Sequence, residues 1–183
     1  MKIGFDLDGV LYPWHIYFYE AVKRRDRRLQ EMSYEDFWKN IKTLEEEYKG
    51  LFDRYVNIPK LYNMQKADKH IVKLLDELSP RNTLYYITCR PANSRMFTKA
   101  WMQRSKIPQR DNLIFLEGNK APTIASLGIR FYLEDRLEHY NDIKDITRVL
   151  LIKQPWNNYG EGIEPSFDTT LDALVELINI LRT

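Results

Sequence analysis

The chain has 183 residues, 44% of them hydrophobic and 13% aromatic, which suits one domain with a modest insertion and is too apolar for a disordered chain. A formal charge of +2 gives no general pull toward polyanions or membrane surfaces, and no apolar run reaches the ~20 residues of a bilayer span. A single cysteine, Cys89, excludes an internal disulfide, and carboxylates at positions 6 and 8 interrupt the first apolar stretch, so the expected compartment is a reducing, cytoplasmic one.

Lys2 to Leu7 reads as a short strand that breaks off at Asp8-Gly9. From Tyr12 to about Gln65 the rhythm is helical. Trp14, Tyr17, Phe18, Ala21 and Val22 form one stripe, and the basic run Lys23 to Arg28 reads as a solvated helix face. Ser33 with Asp36 resembles a capping box, followed on one face by Phe37, Trp38, Ile41, Leu44 and Tyr48, with Gly50 as a helix stop. After Gln65 strands and helices alternate. A helix through Ala67, Ile71, Leu74, Leu75 and Leu78 ends at Pro80, and a strand follows at 83–88. A helix marked by Met96, Phe97, Ala100 and Trp101 leads to a strand at 113–116, a helix at 121–127 and a strand at 130–133. A helix at 137–143, a strand at 148–152 and a last helix through Leu171, Leu174, Val175, Ile178 and Leu181 complete the chain. This alternation predicts an α/β fold, a Rossmann-like parallel sheet with helices on both faces plus a small helical cap. In such sheets the site lies at the carboxyl ends of the strands.

Those ends carry the chemistry. Asp6 closes the first strand, where a carboxylate can attack phosphorus and form an acyl phosphate. Asp8 points into the same opening as the strand turns, and can give a proton to the leaving oxygen and later activate water. A calcium loop also uses this spacing, but no third ligand or position-12 glutamate follows. At the second strand end, the Thr88 hydroxyl and the N–H groups of the turn through Cys89 and Arg90 suit a phosphoryl oxygen. Lys120 can neutralise charge on Asp6 and on the transferring group. Glu134-Asp135 closes the fourth strand and, with Asp6, makes an all-oxygen site suited to Mg²⁺.

Taken as an ordered set, Asp6/Asp8, Thr88, Lys120 and Glu134-Asp135 resemble the four motifs of the haloacid dehalogenase superfamily. Within it, Asp6 to Leu11, Ile87 to Arg90, Leu133 to Arg136 and Gln154-Pro155-Trp156-Asn157 resemble the 5′(3′)-deoxyribonucleotidase-like branch. The resemblance implies a catalytic core at 1–11 and 67–183 and a helical cap inserted at 12–66. It also implies a Mg²⁺-dependent phosphomonoesterase acting through an aspartyl-phosphate on a small phosphorylated substrate, a nucleotide. The metal residues are then Asp6, Asp8 and Asp135, with Glu134 one step removed from the ion.

Two other readings stay open: a nucleic-acid end phosphatase, for which the basic run could contact a strand, and a catalytically silent binding protein on the same fold. Stable nucleic-acid binding and membrane association are not expected, and a homodimer is left open. Trp14, six residues beyond Asp8, is the cap ring expected to overhang the phosphate. The cap contains the rings of Trp14, Tyr17, Phe18, Tyr19, Phe37, Trp38, Tyr48, Phe52, Tyr55 and Tyr62, more than a unit this short needs for its own packing. His15, His70 and His139 are expected on helix surfaces.

Overall fold

The computed structural model of the protein describes residues 1–47, 50, 54, 55 and 57–182. Among these, six strands form one sheet: β1 (Lys2–Phe5), β2 (Thr83–Thr88), β3 (Leu113–Phe115), β4 (Phe131–Glu134), β5 (Arg148–Ile152) and β6 (Ser166–Phe167). Their order is β3-β2-β1-β4-β5-β6, and every neighbouring pair is parallel. The chain winds outward one way through β2 and β3 and the other way through β4 to β6. The reversal lies between β1 and β4, where a doubly wound sheet opens a crevice at its carboxyl edge.

Side chains alternate across the sheet as a two-residue period demands. Ile3, Phe5, Leu84, Tyr86, Leu133, Leu150 and Ile152 enter one apolar cluster with Ile71, Leu75 and Leu78 of α4 (Lys69–Leu78) and Trp101 and Met102 of α5 (Arg95–Arg104). Ala173, Leu174, Leu177 and Ile178 of α8 (Thr170–Arg182) join the same cluster. Ile87, Tyr132 and Val149 enter a second cluster with Ile124 of α6 (Ala121–Leu127) and Ile143 of α7 (Leu137–Ile143). The expected α/β architecture is present, and both faces of the sheet are covered.

Between β1 and α4 the described chain is helical: α1 (Trp14–Arg25), α2 (Tyr34–Lys39), α3 (Ile41–Glu47) and a 3₁₀ turn at Pro59–Asn63. Ser33 caps α2, its Oγ accepting the Asp36 N–H at 3.1 Å. The stripe expected to run on unbroken is interrupted at Asn40, whose Nδ2 donates to the Asp36 carbonyl at 2.8 Å and competes with the helix for that acceptor. Tyr48 and Phe52 lie outside the described residues, and Gly50 takes the left-handed φ of +78° that a stop requires. In the basic run, Arg28 pairs with Asp26, Lys23 donates to the Tyr19 hydroxyl and Arg25 lies over the Tyr55 ring, while Arg24 and Arg27 are exposed.

Among the described residues the surplus of rings is used in packing. Phe18 meets Phe37, Trp38 and Tyr55, Tyr19 meets Phe37 and Tyr34, and Trp14 packs on Phe18 and Tyr62. Through Leu7, Val10, Leu11 and Tyr12 these rings join the same cluster as the first sheet face. Met96 and Phe97, which mark a helix in the sequence, are exposed on α5, and β6 is too short to leave a periodic signal. Among the described residues no helix is long and apolar enough to cross a membrane.

Gly4 in β1 shows how closely the second face is packed. A Cβ there would stand 2.4 Å from Cδ2 of Tyr132, whose ring is held by its hydroxyl bond to the Ile87 carbonyl at 3.1 Å. Gly4→Ala is therefore expected to cost about 1–3 kcal/mol in urea unfolding, as overpacking does. An unchanged midpoint would show that the ring can move aside.

Candidate active site

The site begins where β1 stops pairing. The strand ends at Phe5, two residues before the expected Leu7, although the Asp6 N–H still reaches the Leu133 carbonyl of β4 at 3.0 Å. The Leu7 carbonyl then accepts the N–H groups of Leu11 and Tyr12, both at 2.8 Å, which turns the chain back on itself. Gly9, at φ +79°, makes that turn possible and leaves room for a neighbour, since a Cβ on it would stand 2.0 Å from Oδ2 of Asp135.

Asp6, Glu134 and Asp135 are buried, with one ligand oxygen from each within 4.8 Å of the others. Lys120, 1% exposed at the start of α6, inserts its ammonium between two of them, 2.6 Å from Asp6 Oδ1 and 2.8 Å from Glu134 Oε2. The Glu134 carboxylate is the best supplied of the three, with both oxygens accepting hydrogen bonds. Its Oε1 accepts the N–H groups of Asp135 and Arg136 at 3.0 and 3.2 Å, and His139 Nδ1 lies 3.3 Å from Oε2. Burial opposes its charge, but Lys120 and His139 outweigh that and hold it well below the usual carboxylate range.

The other two acids are less well compensated. Burial pushes Asp6 up to about 6 despite Lys120, with Glu134 and Asp8 adding to the rise. Burial, then Glu134 and Asp6, push Asp135 well above its ordinary value. Three buried carboxyl groups thus share one ammonium, and a hard divalent cation is the partner such an oxygen set fits. Glu134, with both oxygens occupied, has less to offer that cation than Asp6 or Asp135.

Asp135 is fixed from the loop after β5. Trp156 Nε1 donates to its Oδ2 at 3.1 Å, and Asn157 Nδ2 donates to its carbonyl at 2.7 Å and to that of Ile152 at 2.8 Å. Asn157 Oδ1 accepts from the Gln154 and Gly160 N–H groups, and Gln154 Nε2 reaches the Gly9 carbonyl at 3.2 Å. The Gln154-Pro155-Trp156-Asn157 segment, which stands out in the sequence only by resemblance, is the brace that holds one acid and the β1 turn together.

Asp8 faces elsewhere. Its side-chain oxygens are taken by Arg90, whose Nε and Nη2 donate at 2.8 and 2.6 Å, and they do not join the group formed by Asp6, Glu134 and Asp135. Arg90 thereby spends its fork on Asp8 rather than presenting it to a phosphate. Thr88 is buried, and its Oγ1 accepts the Arg90 N–H at 3.3 Å. Cys89 is exposed as a residue, but its Sγ lies 3.2 Å from the Gly118 carbonyl and is partly enclosed, which pushes the thiol up and argues against a nucleophile.

Two histidines depart from expectation. His139 is only 14% exposed because it turns toward Glu134. His15 packs 5.0 Å from Trp156 and near Tyr34 and Trp38, and burial lowers it to about 4. His70 is exposed as expected. Trp14, 9% exposed and packed on Phe18 and Tyr62, has little surface to lend a substrate. Of the partly exposed rings, Trp156 touches Asp135, and Tyr34 belongs to the same ring cluster through His15 and Trp38. A cleft of about 500 Å³ lies where the chain enters and leaves the helical segment, lined by Gly9 to Pro13, His15 and Gln65, Lys66, Asp68 and Ile71, without the acids.

Residues 1–168 match the family described as 5′ nucleotidase, deoxy (pyrimidine), cytosolic type C protein. A nucleotidase of Clostridium acetobutylicum is 24% identical over 165 residues, which cover 86% of this chain and 82% of that one. Among solved structures, a conserved haloacid dehalogenase-like protein of Agrobacterium tumefaciens superposes with a TM-score of 0.68 at 16% identity, over 100% of this chain and 99% of the other. A haloacid dehalogenase-like hydrolase of Streptococcus pneumoniae gives a TM-score of 0.60 at 16% identity, over 96% of this chain and 97% of the other. The fold is that of these two haloacid dehalogenase-like proteins. With the match running from the first strand to the last, the chain belongs to the 5′ nucleotidase, deoxy (pyrimidine), cytosolic type C family, and is a haloacid dehalogenase-type phosphatase of the nucleotidase kind.

Proposed function

We propose that the protein hydrolyses a nucleoside monophosphate by way of an aspartyl-phosphate on Asp6. The observation that carries this reading is the buried Asp6 carboxylate at the switch of the sheet, 2.6 Å from Lys120 and grouped with Glu134 and Asp135. An Asp6 oxygen attacks phosphorus, the bond from phosphorus to the nucleoside oxygen breaks, and Asp8 gives that oxygen its proton. Water then attacks the acyl phosphate, Asp8 takes the proton back, and inorganic phosphate leaves with Asp6 restored. Lys120 holds the Asp6 carboxylate in place and offsets charge in the transition state. Thr88, with the N–H groups of the turn after it, receives the phosphoryl oxygens. Mg²⁺, held by Asp6 and Asp135 with Glu134 behind them, would supply positive charge against the phosphate.

The helical segment 12–66, read as the cap, supplies recognition of the nucleoside. Trp156 of the bracing loop, with Tyr34 of α2 in the same ring cluster, offers partly exposed ring surface for it, rather than Trp14. The family description and the name of the Clostridium acetobutylicum relative support a nucleotide as substrate.

Asp6→Asn should abolish turnover, and Asp8→Asn should lower it roughly 10²–10⁴-fold while phosphate still binds. Near wild-type turnover in either variant overturns the mechanism. Tyr34→Ala should raise KM for a nucleoside monophosphate by roughly 5- to 150-fold, the range of about 1–3 kcal/mol of base stacking. Hydrolysis of a small aryl phosphate should be untouched, and equal losses on both substrates would make Tyr34 structural.

The metal assignment has a readout apart from activity. A carboxyl raised from 3.8 to about 6 in the folded state holds its proton more tightly folded than unfolded, so its contribution to stability falls as pH rises through that window. A bound cation displaces the proton and offsets the loss. The Tm difference between protein in Mg²⁺ and protein in EDTA should therefore widen between about pH 5 and pH 7.5. Asp135→Ala should shrink it more than Glu134→Gln. The reverse order would exchange their roles.

A further inference from the structure

Among the described residues Arg90 is, with Lys120, one of two deeply enclosed cations, and the proposed chemistry makes no use of it. Its side chain is 1% exposed. Three of its N–H groups have named acceptors: Nε on Asp8 Oδ2 at 2.8 Å, Nη2 on Asp8 Oδ1 at 2.6 Å and Nη1 on the Thr98 hydroxyl at 3.0 Å. The guanidinium carbon lies 4.8 Å from the ring centres of Tyr12 and Tyr62 and 5.5 Å from that of Trp101. A phosphate could reach this fork only by displacing Asp8, so the guanidinium is built to serve the carboxylate.

We infer that Arg90 is a positioning residue, which fixes the plane of the Asp8 carboxylate for proton transfer and is itself fixed by the cage of Tyr12, Tyr62 and Trp101. The inference rests on the reading of Asp8 as the acid–base group. A two-point fork sets both the place and the rotation of a carboxylate, which one ammonium cannot do. Each carboxylate oxygen keeps a second lone-pair site, so the fork leaves room for a leaving-group oxygen or a water.

The cage gives the arrangement a second property. Tyr12 stands where the chain leaves for the helical segment and Tyr62 where it returns. The Tyr12 hydroxyl clamps the two crossings, donating to the Leu61 carbonyl and accepting the Met64 N–H at 2.9 Å. Trp101 and Thr98 belong to α5, in the α/β part of the chain. Arg90 is thus held from both sides of the junction, and its orientation, with that of Asp8, follows how the helical segment is seated.

The test compares the first half-reaction on two leaving groups in single-turnover experiments. p-Nitrophenol departs as a stabilised anion and needs little proton donation, whereas a nucleoside oxygen needs a proton to leave. Arg90→Lys keeps the charge and loses the fork. It should slow nucleoside release by roughly 10- to 100-fold, the scale of a catalytic group misplaced by about an ångström. It should leave nitrophenol release within about twofold and KM for both substrates near the wild-type value. Added to Asp8→Asn, it should slow nucleoside release no further, because the group it positions is already gone.

Thr98→Val, which frees only Nη1, should show the same substrate-selective loss at smaller size, and serves if Arg90→Lys does not fold by circular dichroism. A higher KM with the chemical step intact would make Arg90 a phosphate contact, and equal slowing of both leaving groups would make it structural. Either result overturns the inference and leaves Asp8 as the acid. If Asp8→Asn itself fails to distinguish the two leaving groups, the acid role of Asp8 falls, and the inference with it.

Discussion

The interaction on which the site depends is the buried ammonium of Lys120 between Asp6 and Glu134. It joins three pieces distant in sequence: the end of β1, the start of α6 and the end of β4. Burying a charged group costs several kcal/mol unless it is paired with good geometry, and breaking such a pair from one side costs about 3–5 kcal/mol. Tyr132 beneath the ammonium, 5.4 Å away, and the two N–H groups on Glu134 complete that pairing on the protein side. What remains unbalanced is negative charge on Asp6 and Asp135, at the carboxyl ends of β1 and β4. The charge deficit is therefore local, and it lies where a cation and a phosphoryl group would meet.

The acids need a frame stiffer than the strand ends alone provide. Two residues beyond β5 the chain enters a turn in which Asn158 and Tyr159 take left-handed φ of +50° and +54°, positions that cost non-glycine residues free energy. Asn157 holds that turn by bonding four backbone groups, two as donor and two as acceptor. The result places Trp156 where its indole touches Asp135 with one edge while its ring packs 4.9 Å from Trp38 and 5.0 Å from His15. One side chain thus connects an acid at the end of β4 to α1 and α2 of the helical segment. Arg90 makes the equivalent connection for Asp8. Each of these two carboxylates beside the opening is tied to the helical segment through a separate aromatic contact.

Much of this frame is legible in the chain itself. Apolar runs of four to six residues separated by amphipathic stretches are enough to place β2, β4, β5, α6 and α7 within a residue or two, because a sheet covered on both faces leaves little choice of pattern. The acids stand out because a carboxylate directly after an apolar strand is costly unless it is solvated, paired or bound to a cation. The partners of those acids do not stand out. Nothing local to Arg90 says that its fork turns to a residue 82 positions earlier, and His139 has the sequence surroundings of any exposed helical histidine. The rings of the helical segment mislead for a related reason. Their number suggests a binding surface, but α1, α2 and α3 have few aliphatic residues, so aromatic side chains supply the core that leucine and valine supply elsewhere.

Asp6 and Asp8 show how a single turn gives two identical side chains different surroundings. They stand two residues apart, yet the Leu7 carbonyl that gathers the following N–H groups swings the chain between them. Asp6 stays against β4, enclosed, sharing one ammonium with Glu134 and crowded by Asp135. Asp8 moves out toward β2, about a quarter exposed, with the fork of a guanidinium on its two oxygens. Environments this unlike are how one type of residue is divided between separate tasks in a single reaction. The first position suits a carboxylate that must be close to phosphorus and shielded from water. The second suits one that must exchange a proton with a departing oxygen and then with solvent. Gly9 makes the division possible, because any Cβ at that position would collide with Asp135 and the turn would have to open. The spacing of the two aspartates is therefore a consequence of the turn, and the turn is a consequence of what must pack beneath it.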